Sequence, residues 1–146
     1  MSSCVFCAIA DGSGPATRVY EDDEVVAFLD IRPIARGHTL VIPRMHAARL
    51  EDLDPASGAA VFRAGQRIAR AMARSELATD GTNLVLNDGR AAFQTVFHTH
   101  LHVLPRWDGD RVRMGIGLVR RRPHDPETTA ALIRAGLERL TAEEHQ

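Results

Sequence analysis

The sequence predicts an α+β domain built around a mainly antiparallel sheet. Short apolar runs bounded by turn residues cluster between residues 18 and 104, whereas two segments with helical spacing, near 56–74 and 125–140, are set apart from them. The 146 residues are 45% hydrophobic and 25% charged, which is enough apolar material for one core, and no repeat or long linker divides the chain. We therefore interpret residues 1–146 as a single domain.

Five segments have the composition of strands. Arg18 to Tyr20 and Glu24 to Leu29 flank a turn of three acidic residues and predict a hairpin. His38 to Ile42 is an apolar run between a glycine and a proline, and proline stops a ladder because it has no N–H to donate. Thr82 to Leu86 ends at an Asn-Asp-Gly turn, and His98 to Leu104 alternates in character before another proline.

Two helices are predicted, each opened by an Asp-Pro pair. The first covers Ala56 to about Arg74 and the second covers Asp125 to Leu140. Apolar residues recur at helical spacing in both, which is typical of amphipathic surface helices. The residues expected to be buried are Val61, Ile68 and Met72 in the first helix and Ala131, Ile133 and Leu137 in the second.

The charge and the N-terminal segment argue against several functions. A formal net charge of −1 gives no overall field toward nucleic acid or an anionic membrane, and the apolar runs are too short to span a bilayer. The first residues lack the basic and apolar regions of a secretory signal. We therefore expect a soluble cytoplasmic protein with neither nucleic acid nor a membrane as its partner.

Five of the seven histidines lie in or beside two of the predicted strands. On a strand, the period of two would point His98, His100 and His102 to one face and the residues between them into the core. Neutral imidazoles at this spacing are able to chelate Zn²⁺ and leave a position for hydroxide. Alternatively, one imidazole attacks a phosphorus centre while its neighbours fix its tautomer. A purely structural cluster is disfavoured because buried imidazoles each need a partner.

Cys4 and Cys7 form a C-x-x-C pair and are the two cysteines of the sequence. In a reducing compartment such a pair is more often a metal clip or a redox pair than a structural disulfide. No βαβ pattern surrounds the pair, which disfavours the redox interpretation. Two metal-free thiols are the alternative to a metal site.

Several motifs together resemble the histidine triad (HIT) family. The run from Gln94 to Arg106, QTVFHTHLHVLPR, resembles the signature of that family. Ala27 to Pro33, followed by Gly37 to Pro43, resembles its other characteristic stretch in residues and in order. Cys4 to Cys7 and Asn87 to Gly89 extend the resemblance.

The resemblance covers residues 4–106 and leaves a C-terminal extension with the helix near 125–140. It implies a HIT-like fold, in which a five-stranded sheet with two main helices is extended across a homodimer. The helix from Pro55 and its neighbouring strand would shield an otherwise open sheet edge.

HIT enzymes bind a nucleoside phosphate, attack its α-phosphorus and form a nucleotidyl-histidine that water hydrolyses. The resemblance therefore implies a hydrolase of nucleoside phosphoramidates, dinucleoside polyphosphates or related adenylates, with a purine nucleotide or nucleotide conjugate as partner. His100 matches the attacking position, His102 a position that bonds a phosphoryl oxygen or the leaving group, and His38 one that orients the site. A nucleotidyltransferase or phosphorylase with the same intermediate, and a non-catalytic nucleotide-binding module, are the alternatives.

The resemblance also implies the substrate contacts. Asp30 matches the position that accepts hydrogen bonds from ribose hydroxyls. Asn87 matches a polar position on the phosphate side, and Gln94 and Thr95 match positions that contact the phosphate through backbone amide and hydroxyl. The positions matched to the apolar pocket around the base are Phe6, Ile9, Phe28, Ile31 and Leu40.

One largely bacterial branch of the family carries C-x-x-C near its start and binds Zn²⁺ with two cysteines and two histidines. The matching positions are Cys4, Cys7, His46 and His98. Four protein ligands fill a tetrahedral shell, so the resemblance implies a structural zinc and leaves His100 available to attack.

Two features stand outside the resemblance. Phe93 occupies a position where many members have glycine before the glutamine. Arg111, Arg113 and Arg120 to Arg122 form a basic stretch, which we interpret as a solvated face in preference to a contact with a polyphosphate or an acidic leaving group.

Overall fold

A five-stranded antiparallel sheet lies at the centre of the computed structural model, which describes residues 3–146. Its strands are β1 (Arg18–Glu21), β2 (Val25–Leu29), β3 (Thr39–Pro43), β4 (Gly81–Leu86) and β5 (Leu101–Arg106), arranged as β1-β2-β3-β5-β4. The helices are α1 (Val5–Asp11), α2 (Pro55–Arg74), α3 (Arg111–Arg120) and α4 (Pro126–Glu144). This architecture confirms the predicted α+β class, with α2 and α4 as the two main helices. Residues 1 and 2 of the predicted domain lie outside the described residues.

One face of the sheet packs on α2, which in turn packs on α4. Val41 of β3 and Val103 of β5 are fully buried in one core with Ile68 and Met72 of α2. The apolar residues of α2 recur at the predicted helical spacing, so its buried stripe is continuous along the sheet.

The buried stripe of α4 differs from the prediction at one position. Ile133 is buried and Leu137 is partly buried, but Ala131 is exposed, so the prediction for Ala131 is wrong. Gly136 faces α2, where a Cβ would collide with the backbone of Ala71. At 3.6 residues per turn, Ala131 lies about 140° around the helix from Gly136 and therefore points to solvent. Within residues 3–146, no helix is long and apolar enough to span a membrane.

The opposite face of the sheet is covered by α1 and carries the histidines. Phe6 and Ile9 of α1 belong to a buried cluster with Phe28 of β2 and Leu40 of β3. Phe28 pairs with Leu40, and Leu40 pairs with His102 of β5. Residues directly opposite in antiparallel strands share a face, so this row places His102 beside the α1 cluster.

The start of β5 corrects the predicted strand. β5 begins at Leu101 and not at His98. The Thr99 N–H donates to the Ala47 carbonyl in the loop after β3, at 2.7 Å, instead of joining the sheet ladder. The sequence also does not predict α1 and α3, because α1 has only seven residues and α3 contains two glycines, which disfavour a helix.

Candidate active site and metal centre

His100 lies immediately before β5, and the backbone fixes its ring. Its Nδ1 is 2.8 Å from the His98 carbonyl oxygen, and because a carbonyl only accepts, Nδ1 carries the proton. The other nitrogen, Nε2, therefore presents a lone pair. Phe6 packs edge-on against the ring, with 5.1 Å between the ring centroids, and burial lowers the pKa of His100. The result is a neutral, oriented imidazole.

A hydrogen-bonded chain runs from a backbone amide to His102. The Ile34 N–H donates to Nδ1 of His38 at 3.0 Å, so the proton of neutral His38 is on Nε2. That Nε2 donates to Nδ1 of His102 at 3.0 Å, which leaves the His102 proton on its own Nε2. Burial lowers the pKa of His38 to about 3 and that of His102 to about 4. Both rings are therefore neutral at pH 7, and His102 is able to donate to an oxyanion.

Asp30 completes this group at the end of β2. Its Oδ2 is 3.5 Å from Nε2 of His38, and its Oδ1 accepts the Arg32 N–H at 2.8 Å. Burial raises the pKa of Asp30. Asp30, His38 and His102 have the composition of a metal site, but the protonated Nε2 of His38 has no lone pair for a cation. These tautomers favour hydrogen-bond donation over metal-bound hydroxide.

Ile34 belongs to the candidate site through its contact with His38, and the sequence does not single it out. It contributes a backbone N–H, which no side-chain pattern marks. The one sequence feature that points to Ile34 is its position in a turn between two predicted strands, directly after Pro33 and shortly before Gly37.

Cys4, Cys7, His46 and His98 meet beside α1 as a group able to hold a metal ion. Nδ1 of His98 is 3.5 Å from the Sγ of each cysteine and 3.2 Å from Nδ1 of His46. The distance from Sγ of Cys7 to Nδ1 of His46 is 3.3 Å. A tetrahedral Zn²⁺ with bonds of about 2.0–2.3 Å needs its ligand atoms roughly 3.3–3.8 Å apart. Nε2 of His98 donates to the Pro43 carbonyl at 2.8 Å, which leaves Nδ1 with the lone pair a metal needs. The predicted ligand set therefore fits a four-coordinate zinc.

His98 connects the metal group to the nucleophile. Its ring faces the two cysteines, while its carbonyl oxygen holds Nδ1 of His100. A displacement of His98 would consequently change the orientation of the His100 ring.

The HIT domain family matches residues 12–109. The chain belongs to the HIT family. A zinc-bound histidine triad family protein from Mycobacterium smegmatis is 52% identical, with a TM-score of 0.89 and 97% of both chains covered. A hypothetical histidine triad nucleotide-binding protein from Sulfolobus tokodaii is 30% identical, with a TM-score of 0.81 and 94% of both chains covered. An adenylylsulfatase of Arabidopsis thaliana is 39% identical over 109 residues, which is 75% of this chain and 55% of that protein.

In this HIT protein, Gln94 fixes the loop between β4 and β5. Its Oε1 accepts the Gly89 N–H at 2.7 Å, and its Nε2 donates to the carbonyls of Ala48 and Val96. Its own N–H donates to the Gly89 carbonyl at 3.1 Å. Gln94 is 3% exposed, and its amide groups are engaged with backbone groups of this loop and of the segment after β3. The structure thus gives Gln94 a positioning role, and its phosphate contact stays a prediction. Thr95, next in the chain, is exposed.

Phe93 adopts the backbone conformation of a glycine. Its φ is 71° and its ψ is 21°, and its side chain is 84% exposed. A left-handed backbone costs a residue with a Cβ on the order of 1 kcal/mol. The loop thus retains a glycine-like bend where the family frequently has glycine. Asn87, the other residue matched to the phosphate, is partly buried directly after β4.

Four of the five residues expected around the base pack together. Ile31 is 81% exposed and lies in the turn after β2, apart from the cluster beneath α1. It borders a cavity of about 120 Å³ that Asp30 also lines. The four that do pack together and are buried are Phe6, Ile9, Phe28 and Leu40.

Burial of the His38 ring makes stability depend on pH. The folded protein holds His38 neutral with a pKa of about 3, whereas the unfolded chain titrates near 6.5 and therefore binds more protons below that pH. The groups facing the ring are His100, His102, Asp30 and Arg121. The free energy of unfolding should fall by about 2 kcal/mol between pH 7 and pH 5 on account of His38.

His38→Asn is the matched variant for this prediction, since an amide oxygen still accepts from the Ile34 N–H but does not titrate. Urea unfolding of both proteins at pH 7 and pH 5, with zinc content measured in parallel, should show that the free energy of unfolding falls less in the variant than in the wild type. Equal slopes in the two proteins would refute the assignment.

Proposed function

We propose that this HIT protein is a nucleotide hydrolase in which His100 attacks the α-phosphate of a nucleoside phosphoramidate, dinucleoside polyphosphate or related adenylate and forms a covalent nucleotidyl-histidine. The observation that carries the proposal is the 2.8 Å contact from Nδ1 of His100 to the His98 carbonyl. It fixes the tautomer whose Nε2 is able to attack. A module that only binds nucleotide has no use for such a lone pair.

The reaction has two displacements at phosphorus. In the first, the lone pair of His100 Nε2 forms a bond to the α-phosphorus, and the bond to the leaving group breaks with its electron pair going to that group. A sulfate or phosphate leaves as the anion, whereas a nitrogen leaving group also takes up a proton from solvent and leaves as ammonia or an amine. The positive charge on the His100 ring is stabilised by the His98 carbonyl. In the second, a water oxygen bonds to phosphorus, the P–N bond breaks, and a proton of the water is released with the products.

The neighbouring side chains bind and orient the nucleotide. His102 donates from Nε2 to a phosphoryl oxygen or to the departing atom, and His38 holds it in that tautomer. Asp30 accepts from the ribose hydroxyls, with Thr95 and Asn87 on the phosphate side. The buried residues Phe6, Ile9, Phe28 and Leu40, together with Ile31, border the base.

Zn²⁺ bound by Cys4, Cys7, His46 and His98 would have a structural role, because four protein ligands leave no open position. The zinc-bound relative from Mycobacterium smegmatis supports this proposal. These ligands tie α1 to the segment before β5, which keeps Phe6 against the His100 ring. We further propose a cytoplasmic homodimer joined at a sheet edge, for which the edge strand β4 is available.

A turnover panel tests the proposed function. The substrates are adenosine 5′-phosphoramidate, diadenosine polyphosphates, adenosine 5′-phosphosulfate and nucleotidyl sugars, each with and without inorganic phosphate. A hydrolase releases AMP at a rate independent of phosphate, whereas a phosphorylase forms ADP only when phosphate is present. If the protein turns over none of these compounds, the proposal is contradicted.

A further inference from the structure

Arg121 lies at the end of α3, in the segment whose role the family motifs leave open. The last turn of α3 packs against the turn between β2 and β3, and a Cβ at Gly117 would collide with the Ile34 carbonyl. Ile34 is the residue whose amide holds His38. α3 is therefore fixed next to the group formed by His38, His102 and Asp30.

The guanidinium of Arg121 is held over the turn that follows Asp30. Its Nη1 donates to the Arg32 carbonyl and its Nε donates to the Leu118 carbonyl, each at 3.2 Å. Three of the five N–H donors of an arginine remain after these two bonds. None of the ion pairs found among residues 3–146 includes Arg121.

The charge of Arg121 acts on the candidate active site. It lowers the pKa values of His38 and His102, and it opposes the rise that burial causes in the pKa of Asp30. The geometric link is short, because Arg121 donates to the carbonyl of Arg32, whose own N–H donates to Asp30 at 2.8 Å. An anion bound beside Asp30 and His102 would therefore be attracted by the guanidinium.

The backbone of Arg121 is in an unfavourable conformation for an arginine. Its φ is 48° and its ψ is 50°, the left-handed region that glycine or asparagine usually occupies after a helix. Such a conformation costs a residue with a Cβ on the order of 1 kcal/mol. An arginine at this place sacrifices some stability, which is a frequent mark of a binding residue.

We propose that Arg121 is a specificity residue that binds the oxyanion of the leaving group, a phosphate, sulfate or carboxylate beyond the α-phosphate. This inference rests on the proposed function. The planar guanidinium matches the oxygens of such a group. Arg121 lines a groove of about 450 Å³ in which arginines outnumber the two acidic residues, Glu76 and Asp110, so the groove as a whole still favours an anion. The other arginines that line it are Arg36, Arg113, Arg120 and Arg122. The sequence interpretation of the basic stretch as a solvated face is thereby changed for Arg121, to which we assign a binding role.

Two substrates with the same adenylyl group separate this role from a structural one. Adenosine 5′-phosphosulfate releases an anion, whereas adenosine 5′-phosphoramidate releases ammonia. Arg121→Asn removes the charge and tolerates the left-handed backbone. We expect it to lower kcat/KM for the phosphosulfate about 10- to 100-fold, the range for a lost charge-assisted hydrogen bond, with less than about a twofold change for the phosphoramidate.

The control is Arg111→Gln, at the exposed start of α3, which should leave both substrates unchanged. The Tm of Arg121→Asn should stay constant or rise, because the backbone strain is reduced. An equal loss on both substrates, or no loss on the phosphosulfate, would overturn the inference.

If wild-type protein turns over neither compound, that outcome counts against the proposed function alone. Binding measurements then test the role of Arg121 without turnover. In His100→Asn protein, adding Arg121→Asn should raise the Kd for adenosine 5′-phosphosulfate about tenfold and leave the Kd for adenosine nearly unchanged. Equal affinity for the phosphosulfate with and without Arg121 would refute the oxyanion contact.

Discussion

His100→Asn is expected to lower kcat by about three orders of magnitude or more while nucleotide binding persists. Asparagine occupies much of the imidazole volume but has no nitrogen lone pair to attack phosphorus. The metal group should be retained, because His98 and its bond to the Pro43 carbonyl are unchanged. Steady-state turnover, AMP binding and zinc content of the same preparation measure the three effects separately.

His145→Asn is the matched control for this variant. His145 is exposed at the end of α4, where its Nδ1 contacts the Thr141 carbonyl, and the same substitution there should leave turnover unchanged. Residual activity of His100→Asn above about a tenth of wild type would contradict the nucleophile assignment.

Cys4→Ser is expected to cause loss of zinc and a fall of several kcal/mol in the free energy of unfolding. A serine hydroxyl is a much weaker zinc ligand than a thiolate. Cys4 also caps α1, because its Sγ accepts the Cys7 N–H at 3.4 Å, and serine is able to retain that cap. The variant therefore isolates the metal contribution from the capping contribution.

Metal analysis and thermal unfolding with and without a chelator measure this effect. Wild-type protein should contain nearly one zinc per chain, and a chelator should lower its Tm to that of Cys4→Ser. The Tm of the variant should not respond to the chelator. An unchanged Tm in Cys4→Ser, or metal-free wild-type protein, would favour two metal-free thiols.

Local patterns were sufficient to predict most of the sheet and the two long helices. The run ending at Pro43 and the periodic apolar residues of α2 each encode one element, because burial on one face dictates the spacing. The same reasoning misplaced the start of β5, since the Thr99 amide has a partner in a distant loop. Long-range backbone pairing of this kind leaves no mark on neighbouring residues.

The candidate site was predictable where side-chain identity decides it. The sequence identifies the histidines and cysteines, and the fold brings each predicted metal ligand into the same group. The tautomers were not predictable in detail, because they depend on the Ile34 amide and the His98 carbonyl. The backbone contacts of the Gln94 side chain are not predictable either, because a buried amide and a phosphate-binding amide look alike in a sequence.

The place of Arg121 also required the fold. Five arginines in and around α3 are equivalent in composition, and only the packing of Gly117 on Ile34 places the end of that helix beside Asp30. Charge runs in a sequence are usually solvated, so an individual binding residue within one is recognised from its neighbours in space.

The central claim is that His100 carries the nucleotidyl group during turnover. Acid-quenched enzyme that has been mixed with adenosine 5′-phosphoramidate, digested and examined by tandem mass spectrometry should contain an adenylyl adduct on His100. The adduct should be absent from His100→Asn. An adduct on His38 or His102, or turnover without any adduct under conditions that trap phosphohistidine, would contradict the mechanism.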